Sequence, residues 1–198
     1  HDATLVNVRA DNGLSAVLGA AYYNEPHIAQ LLVQRGAELS IFEAATVGAL
    51  DRVEGWLVAQ PELINAYAPD GFQPIGLAAF FGHQAVVELL LRVGAEVDSP
   101  SKNAMRVRPL HSAIANRRTA IARLLIEHGA DVNSTQADDF TPLHEAAQNG
   151  LLEVTQWLLD RGARVTARLA NGQTPLALAI EQHHVEVEEL LRRYGAED

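Results

Sequence analysis

The chain of 198 residues contains no cysteine. Disulfides and thiolate metal sites are therefore excluded, and the compartment stays open, with the cytoplasm favoured. No run approaches the ~18 apolar residues that a membrane helix needs, and the N-terminus lacks the basic, apolar, small-residue order of a secretory leader. No membrane partner is expected. Positive charge is scarce: 15 Lys and Arg face 25 Asp and Glu, for a formal charge of −10. Such a field opposes nucleic acid, so the expected partner is a protein, with a basic peptide the better charge match. No GxSxG elbow or glycine-rich phosphate loop occurs, which leaves acyl transfer and nucleotide chemistry unsupported.

What the chain does have is ample apolar content, 48%, and a period. Five of the seven Gly-Ala pairs, Gly36-Ala37, Gly94-Ala95, Gly129-Ala130, Gly162-Ala163 and Gly195-Ala196, fall at intervals of 58, 35, 33 and 33. Pro74, Pro109, Pro142 and Pro175 repeat the last three intervals. Periods of this size come from stacked supersecondary units, each covering its apolar face against the next. Proline marks the start of a first helix, where its fixed φ and missing N–H cost nothing. Asn149-Gly150 then breaks one such unit, and Leu152, Val154, Leu158 and Leu159 mark the apolar side of a second helix that Gly162 ends.

The runs "TPLHEAAQNG", "PLHSAIANRR", "PIGLAAFFGHQAVVELLLRVGAEVD" and "TPLALAIEQHHVEVEELLRRYGAED" resemble the ankyrin repeat over nearly the whole chain. The alanine-rich helices and the "IFEAA" run are similar to bacterial-type arrays. The resemblance implies an all-α solenoid of stacked helix-turn-helix units with short β-hairpin-like fingers, and a non-enzymatic protein-interaction module. The register makes residues 1–198 one domain, with units at 6–39, 40–64, 65–97, 98–132, 133–165 and 166–198. Between Leu39 and Ala45 there is no room for a finger, so the second unit should enter its first helix directly. The segment Val97 to Pro109 is two residues longer than its counterparts and should bend differently.

The ends of the stack are expected to differ. Glu188 replaces the small or apolar residue of inner units, Ala29, Val87, Ala122 or Thr155, and is flanked by Glu186, Glu189, Arg192 and Arg193, as a polar capping face requires. At the other end "DATLVNV" matches the tail of a unit, and Leu14, Ala16, Val17 and Leu18 are too apolar for a solvated face. Helices are therefore expected before residue 1, or a neighbouring molecule over this face, which keeps self-association as an alternative function.

His111 and His144 share one repeat position and are the obvious catalytic suspects, for a metal-dependent enzyme or a hydrolase. Two such residues one repeat apart lack a third ligand, and in resembling proteins this histidine bonds backbone between repeats. His183 and His184 diverge as sequence neighbours and are expected to face solvent. Asp138-Asp139 and Glu188-Glu189 lack the alternating ligands of a calcium loop and fit a finger tip and a capping face. No catalytic residue, metal or cofactor is expected.

Family resemblance places the binding surface on the finger tips and the outer side of the first helices, a concave face. By position this selects Tyr22, Tyr23, Phe72, Phe80, Phe81, Phe140 and Glu145, together with Leu77, Ser112 and Leu178. Tyr22, Tyr23, Tyr67, Phe72, Phe80 and Phe81 are six of the nine Tyr and Phe residues, and all six lie before residue 82. Aromatic anchors inside a polar rim are the usual energetic centre of an interface, so an aromatic hot spot is expected in this half. One member of each aromatic pair should pack inward, because helix neighbours point about 100° apart. Trp56 and Trp157 match across repeats and are assigned to packing.

Overall fold

A computed structural model describes residues 6–11 and 13–197. The chain divides into two compact units, His1–Ala95 and Glu96–Asp198. The first holds α1 (Ala16–Tyr22), α2 (Pro26–Gln34), α3 (Ile41–Val47), α4 (Leu50–Ala59), α5 (Pro74–Phe81) and α6 (Gln84–Arg92). The second holds α7 (Pro109–Ala115), α8 (Thr119–Glu127), α9 (Pro142–Gln148), α10 (Leu152–Asp160), α11 (Pro175–Glu181) and α12 (Val185–Arg193). Helices this short do not persist alone in water, so packing must hold them. In the first unit α3 packs against both α1 and α5; in the second α9 lies between α7 and α11, and α10 between α8 and α12. Ile41, Ile75 and Leu90 are fully buried in one, and Leu110, Leu143, Leu158 and Leu176 in the other.

Proline occupies the first turn of α5, α7, α9 and α11 as expected. After Leu39 the chain enters α3 at once, with Ser40 as N-cap and Glu43 closing a capping box. Side chains tie successive repeats together at the loop side. Asn7 Oδ1 accepts the Glu38 N–H at 2.8 Å in the first unit, and Asn133 Oδ1 accepts the Arg164 N–H at 2.8 Å in the second.

The fingers are tight turns rather than strands, each closed by a backbone bond: Ala68 N–H to Phe72 O at 2.8 Å, Gln136 N–H to Phe140 O at 3.0 Å, and Leu169 N–H to Gln173 O at 2.9 Å. The lengthened finger closes two residues later, from Ser101 N–H to Val107 O at 2.8 Å. Asn103 organises the extra residues by accepting the Met105 N–H, and Arg106 takes a left-handed φ of 53°. Neighbouring fingers of the second unit are stitched by single backbone bonds, Ala137 N–H to Met105 O at 3.0 Å and Ala170 N–H to Asp138 O at 3.1 Å.

The apolar N-terminal face differs from expectation. Val17 and Leu18 are buried, because α1 turns them toward the rest of its unit, and Ala16 and Leu14 are half-buried. Two apolar side chains of α2 are left in solvent, Ile28 at 49% and Leu31 at 45% exposed. Residues 2–5, the first four of "DATLVNV", lie outside the described residues. On α12, Glu186, Glu189, Arg192 and Arg193 are exposed as expected, and Glu188 is half-buried against Arg192.

Candidate partner-binding site

Three elements of the first unit converge. Tyr22 ends α1, Phe80 and Phe81 end α5, and Asp70 sits at the tip of the finger that precedes α5. The Tyr22 and Phe81 rings tilt together at 5.6 Å, and Phe80 meets Phe81 edge to face at 5.0 Å. The Tyr22 hydroxyl donates to an Asp70 carboxylate oxygen 48 residues away, spanning the finger-less second repeat. Burial, then the hydrogen bond and charge of Asp70, push the Tyr22 phenol well above its usual pKa, so it remains a donor. Tyr22 is 39% exposed and Tyr23 82%, so within that pair Tyr23 leads outward. Phe80 and Phe81 are both half-buried, as are Tyr67 and Phe72. Phe72 rests on Gly76 of α5, where a β-carbon would sit 3.6 Å from its ring.

Beside this cluster, where a second finger would stand, is a cleft of about 390 Å³. Leu14, Leu18, Phe42 and Pro69 supply its apolar wall; Arg9, Glu43 and Asp70 are its charged groups. Glu43 is 1% exposed and pairs with the half-exposed Arg9 at 3.0 Å. Burial by itself would raise the Glu43 carboxyl, but hydrogen bonds from Ser40 and Ser15 and the Arg9 guanidinium hold it below the usual carboxylate range. Ser15 is also the N-cap of α1, accepting the Leu18 N–H at 3.2 Å. One carboxylate thus joins the caps of two first helices to the first finger.

Residues 110–159 match the family model described as ankyrin repeats (many copies), and residues 70–102 the one described as ankyrin repeat. The chain is an ankyrin-repeat protein. Its fold is of the all-α repeat-solenoid class, and ankyrin repeats are generally protein–protein interaction modules. The chain matches no curated protein. Among the described residues no helix is long and apolar enough to cross a membrane.

In the second unit of this ankyrin-repeat protein, Phe140 and Glu145 lie near His144. The Phe140 and His144 rings are 5.6 Å apart, and Glu145 is half-buried, which raises its pKa against the opposing hydrogen bond from Asn149. His144 closes a capping box with Thr141, Nδ1 taking the hydroxyl hydrogen bond at 2.8 Å. His111 has no such partner, since Arg108 stands where Thr141 would be. Its Nε2 donates to Phe140 O at 3.1 Å, in the next repeat, while buried Nδ1 is unpartnered. Burial pushes the His111 pKa down to about 4. Both rings are thus tied into backbone or a helix cap, and Ser112 is buried with no hydrogen bond from its hydroxyl to either. Among the described residues no three His, Asp or Glu side chains gather as metal ligands would.

Two expectations change. Leu77, Ser112 and Leu178 are buried, not surface positions, because this turn of the first helix is covered by its neighbours. His184 is half-buried rather than solvent-facing: its Nε2 donates to Gln148 O at 3.1 Å, and only His183 is exposed. Asp138 and Asp139 are exposed on a finger tip at φ 60°. Trp157 lies under Arg123 of the preceding repeat at 5.4 Å, and Trp56 donates to Leu39 O at 2.8 Å, in keeping with packing roles. Arg9, Glu43 and Asp70 do not stand out in the sequence, although Ser40-x-x-Glu43 carries the capping-box pattern and Pro69-Asp70-Gly71 that of a tight turn.

Proposed function

We propose that the chain works as a non-enzymatic interaction module, its six repeats forming one domain that holds a protein partner on the fingers and outer sides of the first helices. The energetic centre is the aromatic group of the first unit. The observations that carry this are the mutually supporting rings of Tyr22, Phe80 and Phe81, with the Tyr22 hydroxyl held by Asp70, and the 82% exposure of the next residue, Tyr23. A pre-ordered aromatic surface loses little side-chain freedom on binding, and truncating a good anchor costs about 2 kcal/mol or more. Phe140 and Glu145 are the candidate positions of the second unit, and the net charge of −10 favours a basic partner. Tyr23→Ala and Phe81→Ala should each weaken capture of the partner, identified first by pull-down and mass spectrometry, at least tenfold while thermal unfolding shifts little. Undiminished capture by both variants overturns the assignment.

Self-association is a second function with its own support: Ile28 and Leu31 are apolar and exposed on α2. Light scattering should then report a mass that rises with concentration in the wild type and stays constant in Ile28→Glu.

A further inference from the structure

We infer that the cleft left by the absent second finger receives an arginine side chain from an extended, basic segment of the partner. This rests on the proposed binding face and assigns the chemistry of one part of it. In the second unit the last two fingers each donate one N–H to the finger before, from Ala137 and from Ala170. The closing bonds Ala68 to Phe72, Gln136 to Phe140 and Leu169 to Gln173 put these fingers in one register, and the residue that follows the first partner is Pro69, Ala137 or Ala170. The finger facing the gap therefore carries proline at the donor position. A partner strand cannot take a backbone hydrogen bond there. Recognition is left to side chains.

The polar groups around the gap are chiefly acceptors: the carboxylates of Glu43 and Asp70, and the Gly13 carbonyl. The cleft's own cation, Arg9, is engaged twice, with Glu43 at 3.0 Å and with Gly13 O at 3.1 Å. Counting Arg9, Glu43 and Asp70, the lining carries one net negative charge. An occupant rich in donors and positive in charge complements it, and guanidinium offers five N–H groups in a planar fork. The apolar wall suits the stem: Leu14, Phe42 and Pro69 would cover the methylenes while the head reaches Asp70. At about 390 Å³ the cleft lies at the small end of ligand pockets, sized for a side chain and not for a folded element.

The test needs no identified partner. Acetyl-arginine-methylamide is titrated into the full chain and the backbone amides are followed by NMR, with acetyl-citrulline-methylamide as the neutral isostere. Saturable shifts are expected at Gly13, Leu14, Ser40 and Asp70, at least fivefold weaker with citrulline and in Asp70→Asn, and unchanged in Asp138→Asn. No saturable shift at these amides, or equal shifts with citrulline and in Asp70→Asn, overturns the inference. The two assignments fail separately. A silent cleft in a chain whose partner capture still depends on Tyr23 and Phe81 removes only the arginine site. Arginine binding with capture indifferent to those aromatics removes only the hot spot.

Discussion

The His184 ring lies over Gly150, in the space a β-carbon there would need: that atom would sit 2.5 Å from Nδ1. Gly150 has a left-handed φ of 66°, and His184 Nε2 donates across it to Gln148 O. The arrangement also occurs in the first unit, where His83 covers Gly48 and donates to Thr46 O at 2.8 Å. At the turn after α7 the same position carries a side chain: Arg117 has a φ of 56° and is followed one repeat later by Leu151. Glycine at these turns is therefore required twice over, by φ and by the next repeat.

Gly150→Ala should destabilise the fold by about 1 kcal/mol for the left-handed backbone and by a further 1–3 kcal/mol or so, roughly, for the displaced ring. In a His184→Ala background only the backbone part should remain. Chemical denaturation of the two single variants and the double variant measures the difference. A coupling near zero between the two sites would mean that the ring yields freely.

Arg108 is a local misfit. It takes the place that Thr141 fills beside His144, so His111 Nδ1 has no donor, and Arg108 Nε is itself buried without a partner. Its guanidinium reaches the Asp98 carbonyl instead. Arg108→Thr should restore the capping box and remove two unpartnered buried atoms, stabilising the protein by about 1 kcal/mol. The midpoint of urea unfolding reads this directly. A lower midpoint would show that the bond to Asp98 outweighs both.

Acid should weaken the second unit before carboxylates matter. His111 titrates near 4 in the folded chain and His144 is also lowered, in both cases chiefly by burial, against an ordinary value of 6.5. The unfolded chain therefore binds the proton first, so stability falls as pH drops from about 6.5 and the His111 contribution stops growing near 4. Full expression for His111 alone is about 3 kcal/mol, because each tenfold difference in proton affinity between the folded and unfolded chain is worth about 1.4 kcal/mol. Denaturation series at pH 7, 5.5 and 4.5, with the His111 ring followed by NMR, check the slope and its owner. A His111 midpoint near 6.5 would refute the assignment.

Helix starts and stops were legible because proline at the first turn and glycine at the last act locally, and the absent finger could be counted between Leu39 and Ala45. What lay hidden depends on a neighbouring repeat. His184 reads as an exposed residue until the turn at Gly150 supplies a carbonyl. Leu77 and Ser112 read as surface positions until adjacent helices cover them. Tyr22 was found by its column, but its bond to Asp70 required two repeats and the missing finger between them to be seen together.

Glu43 gives the last prediction, because two kinds of partner hold it. The Ser40 and Ser15 hydrogen bonds act within the buried helix caps, whereas Arg9 is half-exposed and shares its field with solvent. Glu43→Gln should cost about 2 kcal/mol at pH 7, the scale of hydrogen bonds to a buried charge, and Arg9→Met less than about 1 kcal/mol. Because the folded Glu43 pKa is lowered from 4.5, its contribution is present above that value and is lost as pH falls through the folded one. The Glu43→Gln penalty should therefore shrink toward zero in strong acid, while its size at pH 7 stays nearly unchanged by salt. Equal losses in Glu43→Gln and Arg9→Met, both erased by salt, would place the stabilisation in the ion pair instead of in the serine caps.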